Sequence, residues 1–486
     1  MPYPGHPFAQ THPDRLATLA LLFGMTPAPV ATCRLLELGC GDGGNLVPMA
    51  VALPGARFAG IDAAPGAIAR GRELVEALGL DNVTLEAVPI EEFEPAAGGF
   101  HYVIAHGVYS WVGPQARDRL MATFGRALAA DGVAYVSYNA LPGGRVRQAL
   151  RDMLRFHTAE LDEPAEQIAQ ARAMLRFLVE GLPDELDFAA AMRRQARSTL
   201  ERSDASLLHD DLAEVNVPVY FHELVAHAAR HGLQYLAEAD FFEMQTGLVG
   251  APAAEALLGV EDPIRREQYL DFLKGRMFRQ TLLCRAEREL DRTPRPNVLA
   301  RLAISTPARP RGEPDASGAV TFEGPTGSTI ATDHALVRAA LERAGDAWPA
   351  AVWVSDLIPA GCIAADRAAL CDALLRCYAA NLAQLHVHPP ALTTTPGAAP
   401  EASALARHQA REGEMITNLR HVGVRIEDDL GRELVTLLDG TRDRAALTAE
   451  LRGFLGARGD ERSDAELREG LDRSLEGLAK LALLVA

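Results

Sequence analysis

Lysine is nearly absent from this 486-residue chain: Lys274 and Lys480 are the only two, and arginine supplies almost all the positive charge. Acids outnumber bases, 65 to 48, for a formal net charge of -17. A general nucleic-acid binder needs a basic surface that releases counterions, so that class is excluded. Cysteine is scarce too. The six thiols (Cys33, Cys40, Cys284, Cys362, Cys371, Cys377) form no C-x-x-C pair and are too sparse for a disulfide framework, so reduced, mostly buried thiols are expected. No apolar run reaches the ~20 residues that span a bilayer, and "MPYPGHPFAQTHPDR" lacks the basic start and apolar core of a signal peptide. These absences predict a cytoplasmic protein without membrane insertion.

Hydrophobic residues make up 48% of the chain, enough for real cores. At ~150 residues per domain, the length predicts two to four domains. "HPDRLATLALLFGM" has helical spacing. After it, "CRLLELG", "RFAGID", "NVTLEAV", "HYVIAHG" and "VAYVSYN" read as strands, with helices such as "PGAIARGRELVEALG" between them. Alternation of this kind predicts a parallel sheet covered on both faces. Helical patterns then fill the chain from Arg147 to about Leu207, and a helix, a strand, a helix and a strand ending near Ala286 complete the sheet. The expected layout is a first part of the core over 1–146, a helical insertion over 147–207 and a sheet-completing segment over 208–300. A linker over 301–318 leads to a winged-helix-like module over 319–390. A second linker over 391–411 leads to a small module over 412–486.

"LLELGCGDGGN" (residues 35–45) carries the chemistry. A strand feeding a glycine turn and a helix start lets a ligand approach the backbone. Gly39, Gly41 and Gly44, with Asp62 further on, satisfy the dinucleotide spacing G-x-G-x-x-G. Glu37 discriminates. A carboxylate there sits poorly against pyrophosphate, but it attracts the ammonium of S-adenosyl-L-methionine; Asp62 can take ribose hydroxyls in either case.

Beyond these residues, "THPDRLATLALLFGMTPAP", "FAGIDAAPGAIARG", "YVIAHGVYSWV" and "GVAYVSYNALPG" resemble a bacterial class I methyltransferase family. "DDLAEVNVPVYFHELVAHAARHGLQYLAEADF" and "EQYLDFLKGRMFRQTLLCR" resemble its methyltransferase regulatory domain. The resemblance covers roughly the first 300 residues and extends to rickettsial protein-lysine methyltransferases; the last module is loosely similar to PqqD-like peptide-binding folds. It implies an α/β, Rossmann-like seven-stranded sheet with one antiparallel strand and a helical insertion, plus a C-terminal α+β winged-helix-like tail. It also implies S-adenosyl-L-methionine as cofactor, protein lysine as acceptor, and a homodimer. Three departures stand out: Pro89, with Glu91 nearby, replaces an acid after the third strand, Ala64 replaces a polar residue after Asp62, and "SYN" runs on into "ALPGG".

Tyr109 and Trp111 are expected to wall the acceptor pocket at the end of the fourth strand, with the Tyr109 hydroxyl holding the amine. Tyr138 and Asn139 end the fifth strand on the same edge, where Asn139 offers a carbonyl. His106 is expected against the cofactor's amino-acid end or as a base. The resemblance makes the arm before the first helix a lid, with Arg15 for the cofactor carboxylate; Thr11 or Asp14 can cap that helix. Tyr220 and His222 are weaker candidates. His386 and His388 share a strand face, but no further ligand lies near in sequence, so no metal is expected. The tail modules lack a basic stripe and read as protein- or peptide-contact modules. A small-molecule N- or O-methyltransferase and a non-catalytic cofactor-binding adaptor are the alternatives.

Overall fold

The computed structural model describes residues 5–183, 186–459 and 462–486. The first four residues of the arm lie outside the described residues. A seven-stranded sheet organises the catalytic half, built from β1 (Arg34–Leu38), β2 (Arg57–Asp62), β3 (Val83–Ala87), β4 (Phe100–Ala105), β5 (Leu128–Asn139), β6 (Leu233–Glu238) and β7 (Phe278–Arg285). The order is β3-β2-β1-β4-β5-β7-β6, and β7 runs antiparallel to both its neighbours. The crossover reverses between β1 and β4, so the C-terminal ends of these two strands frame a crevice.

Helices cover both faces. α1 (Pro13–Leu22), α2 (Leu46–Ala52) and α3 (Pro65–Ala77) pack on one. Proline opens α1 and α3, where its missing N–H costs nothing. The His12 side chain, rather than Thr11 or Asp14, caps α1 by accepting from the Asp14 N–H at 3.2 Å. α4 (Pro114–Ala127) covers the other face, with Leu120, Met121 and Phe124 fully buried. The insertion is a three-helix cluster, α5 (Gly144–Thr158), α6 (Pro164–Gly181) and α7 (Asp187–Leu200), with its own core of Leu150, Leu154, Leu175 and Met192. α8 (Asp204–Ser206) runs into a π turn, and α9 (Phe221–Arg230) joins α4, burying Leu224 and Ala228 beside it. α10 (Ala251–Leu258) and α11 (Pro263–Lys274) precede β7.

The stretch expected to be a linker over 301–318 is structured. It carries β8 (Ala303–Ser305) and β9 (Arg309–Arg311), before β10 (Val320–Glu323), β11 (Thr329–Thr332), β12 (Val352–Trp353) and β13 (Gln384–His386). β8 is the centre of the sheet β12-β8-β13, and β9 is an edge of β11-β10-β9. Residues 391–411 are tied down as well: Leu392 bridges Val485, Glu401 bridges Asp439, Ala402 bridges Leu484, and a helix starts at Ala404. Strands of two or three residues have no period, and their partners lie far along the chain, so composition alone misread them. Among the described residues, no helix is long and apolar enough to cross a membrane.

Candidate functional site

A cavity of about 850 Å³ opens at the C-terminal ends of β1, β2 and β4, lined by Glu37, Gly39, Gly41, Asp62, His106 and Trp111 among others. The glycine turn is strained for any other residue: Gly39, Gly41 and Gly43 have φ of 73°, 57° and 77°. A Cβ on Gly39 would lie 2.5 Å from Val108 Cγ2. Asp62 braces this turn. One of its oxygens accepts from the Gly41 N–H at 2.9 Å and the other from the Ala64 N–H at 2.8 Å. Each retains a lone pair for a ligand hydroxyl.

Glu37 is 3% exposed. Its Oε1 accepts from Asn45 Nδ2 at 2.7 Å, but its Oε2, also buried, has no partner. Burial pushes its pKa up to about 8, against the Asn45 bond; the Asp62 charge adds to the rise. A buried, half-satisfied carboxylate at the lip of a glycine cradle is a seat for a cationic ligand. That donor set fits S-adenosyl-L-methionine: Glu37 for the ammonium, Asp62 for the ribose, and the Gly39–Gly41 turn for close backbone approach. Residues 88–91, around Pro89 and Glu91, are not among the cavity's lining residues.

The N-terminal arm crosses the cavity mouth. Gly5 meets Gly44 so closely that a Cβ on Gly44 would lie 2.6 Å from the Gly5 backbone. Phe8 stacks on His106 with centroids 3.7 Å apart, and its N–H donates to Asn45 Oδ1 at 2.9 Å. The same Asn45 oxygen accepts from Thr11 Oγ1 at 3.2 Å and from His421 Nε2, in the C-terminal module, at 2.9 Å. His106 also meets the Tyr135 hydroxyl at 2.9 Å, and burial lowers its pKa to about 4, so the ring is neutral near pH 7.

A second cavity of about 350 Å³ adjoins the first, and His106, Gly107, Trp111 and Asp210 line both. Its other walls include Asn139, Gln148, Asn216 and Phe278. Asn139 Nδ2 donates to Asn216 Oδ1 at 3.0 Å, which leaves the Asn139 carbonyl oxygen available to an incoming donor. Asp210 has its pKa raised by burial, despite Arg147 nearby. The insertion closes this side, with the Arg151 guanidinium 5.8 Å from the Trp111 ring centroid.

Known proteins carry the same parts. Residues 36–134 match the family "Methyltransferase domain", residues 203–285 "Predicted methyltransferase regulatory domain" and residues 399–483 "PKMT, C-terminal winged helix domain". The uncharacterized protein RP028 of Rickettsia prowazekii is 31% identical over 237 residues, which cover 49% of this chain and 95% of that protein. The chain belongs to this methyltransferase family. A second relative from that organism, RP789, is 39% identical over 293 residues, 60% of this chain and 53% of its own length, so the methyltransferase matches only about half of it. The structure of PKMT2 from Rickettsia typhi matches over 100% of both chains at 25% identity, with a TM-score of 0.88; PKMT2 in complex with AdoHcy gives 0.86.

In the methyltransferase, three expected site residues lie away from these cavities. Tyr109 is 3% exposed and its hydroxyl meets His227 Nδ1 at 2.9 Å. Tyr138 is buried with its hydroxyl 3.1 Å from Thr281 Oγ1. Both rings pack in the core beneath the pocket, because their strand-end positions face the α4–α9 layer. Arg15 lines a separate cavity between α1 and the tail modules, and donates to the Ala239 carbonyl at 3.3 Å. Tyr220 stacks on His222, and neither lines the two cavities. His386 is spent on Asp14 Oδ2 at 2.8 Å and Ser305 Oγ at 2.9 Å. Asp210, Asn216 and Gln148 were missed; the acidic run "HDDLAEVN" after the insertion was the only local signal for the first two, and Gln148, on α5, had none.

Proposed function

We propose that the protein transfers a methyl group from S-adenosyl-L-methionine to lysine side chains of proteins. The observation that carries this reading is the buried Glu37 carboxylate with one unsatisfied oxygen, in a cavity that meets a second one at Trp111. When bound, the cofactor supplies a methyl group on a sulfonium, a good leaving group, so the protein's part is positioning. Glu37 holds an ammonium, Asp62 holds hydroxyls, and the arm, through Phe8 on His106, excludes water. On the acceptor side, the Asn139 side-chain carbonyl accepts a hydrogen bond from the incoming amine, while Arg147 and Arg202 pair with the Asp210 carboxylate in the same cavity and disfavour the charged ammonium, whose proton leaves to solvent. A lysine must lose a proton to attack, and the Trp111 and Phe278 rings lower its pKa from ~10.4 by withholding water from the charged form. The PKMT2 match supports the choice of lysine, as the match to a PKMT winged-helix domain does. The same reading puts the enzyme in the cytoplasm, working as a homodimer; sedimentation velocity measures the latter.

The test is mass spectrometry of lysate proteins after incubation with isotopically labelled S-adenosyl-L-methionine. Labelled methyl-lysine that disappears with Asp62→Ala supports the reading. Label found only in small molecules, or tight binding of NAD alone by calorimetry, overturns it.

A further inference from the structure

α4 belongs to the segment matching the methyltransferase domain and α9 to the one matching the regulatory domain. They lie side by side on one face of the sheet, and a cluster of three side chains joins them. His227 and His231 are four residues apart at the end of α9, so both imidazoles project from one face. Asp118, in the second turn of α4, points at both. Its Oδ1 lies 3.0 Å from His227 Nε2 and 3.0 Å from His231 Nε2, and the three atoms fall within 4.8 Å of one another.

We propose that Asp118, His227 and His231 bind a divalent transition-metal ion of the zinc type, clasping the regulatory segment onto the catalytic core. Two imidazole nitrogens and a carboxylate oxygen suit zinc, with bonds of ~2.0–2.2 Å to each. Donor atoms in such a tetrahedral shell stand about 3.4 Å apart, so the two carboxylate–imidazole distances of 3.0 Å need only a slight widening. The Asp118 side chain is 58% exposed while those of the histidines are 10% and 18% exposed. The open side therefore faces solvent and leaves a fourth position for water.

The surroundings meet the further demands of a metal ligand. A ligating histidine needs its other ring nitrogen held. His227 Nδ1 already meets the buried Tyr109 hydroxyl at 2.9 Å. With the single ring proton of the neutral imidazole on Nδ1, donated to the Tyr109 oxygen, Nε2 presents its lone pair to the metal, so the neutral ring binds by a tautomer shift without net proton release. The cations nearby do not compete for Asp118. Arg117 is spent on the Tyr109 and Val112 carbonyls, and Arg230, also on α9, is exposed.

The clasp reaches the active site through the chain itself. Tyr109 is followed by Ser110, whose carbonyl accepts from the Val217 N–H at 2.8 Å, and by Trp111, which walls both cavities.

The experiment uses the full chain without a histidine tag, stripped with a chelator and titrated with zinc chloride in a calorimeter; cobalt absorption reports the ligand set. One zinc per chain is expected, with an upward shift of the melting midpoint and a cobalt spectrum without thiolate charge transfer. Asp118→Ala and His231→Ala should each weaken zinc binding by more than ~10-fold and abolish the midpoint shift, while His388→Ala should change neither. Circular dichroism of both variants verifies that they fold. Tyr109→Phe, with the ligands intact, should weaken binding less than either. No zinc uptake by the folded chain, or uptake unchanged in both ligand variants, overturns the proposal. Neither outcome bears on methyl transfer, so the two readings fail separately.

Discussion

At the scale of single residues, Glu37 sets the pH behaviour of the empty enzyme. Its pKa in the fold is raised from the ordinary value near 4.5 to about 8, chiefly by burial. A raised folded pKa means that the protonated group favours the fold. That contribution is intact below pH ~4.5 and is lost as the pH rises towards 8. Glu37→Gln should therefore flatten the decline of the melting midpoint over this range, by differential scanning fluorimetry. Ligand binding reverses the preference, since an ammonium favours the ionised carboxylate. Cofactor binding near pH 7 should release most of one proton, visible by calorimetry in buffers of different ionisation enthalpy. Glu37→Gln should abolish that release and weaken affinity by ~10-fold or more; unchanged affinity would refute this pose. Asp62 and Glu37 were legible in the sequence because a strand, a glycine turn and a helix start are local features. The hydroxyls of Tyr109 and Tyr138 were not. Which way a strand-end ring turns depends on α9 and β7, more than a hundred residues away. The same distance hid Asp118, His227 and His231, whose only local signal was the four-residue histidine spacing.

Among elements, β7 depends on one buried cation. Arg279, with a fully buried side chain, donates to Asp271, Glu267 and Glu238 at 2.9, 2.9 and 2.5 Å, and lies 3.9 Å from the Phe221 ring centroid. It fastens the antiparallel strand to α11 and β6. Arg279→Met leaves Glu238 without a cationic partner and Glu267 and Asp271 to Arg276 alone, and should cost ~3–5 kcal/mol in urea unfolding near pH 7. Burial already raises the pKa values of Glu267 and Asp271. Without the arginine they take up protons more readily, so the deficit should shrink as the pH falls. The arm is the second element with a measurable role. The Phe8–His106 stack is worth ~0.5–1.5 kcal/mol, so Phe8→Ala should speed cofactor release a few-fold by stopped-flow fluorescence. The alternation of the first 140 residues revealed the five parallel strands. The three-residue strands β8 and β9 were read as linker because pairing, not periodicity, makes them strands.

Across the whole molecule, the tail is continuous with the catalytic half. The core on the α1 face runs from Leu16 and Leu35 through Leu299 and Phe322 to Leu374 and Leu385. Asp14 is bound by the His386 side chain and the His388 N–H, and Asn45 by His421. Burial holds the His421 pKa well below its usual value, so it donates to Asn45 Oδ1 as a neutral ring. His421→Ala removes one neutral bond, worth ~1 kcal/mol, and should raise the cofactor Kd about five-fold by calorimetry. An unaltered Kd would show that the tail is only docked there.

Asn45 and His421 stand 376 positions apart. During synthesis the glycine turn leaves the ribosome long before the histidine that steadies its neighbour has been translated. A nascent chain that has not yet reached His421, or one clipped ahead of it, should therefore hold Asn45 more loosely and bind cofactor more weakly than the chain that carries it.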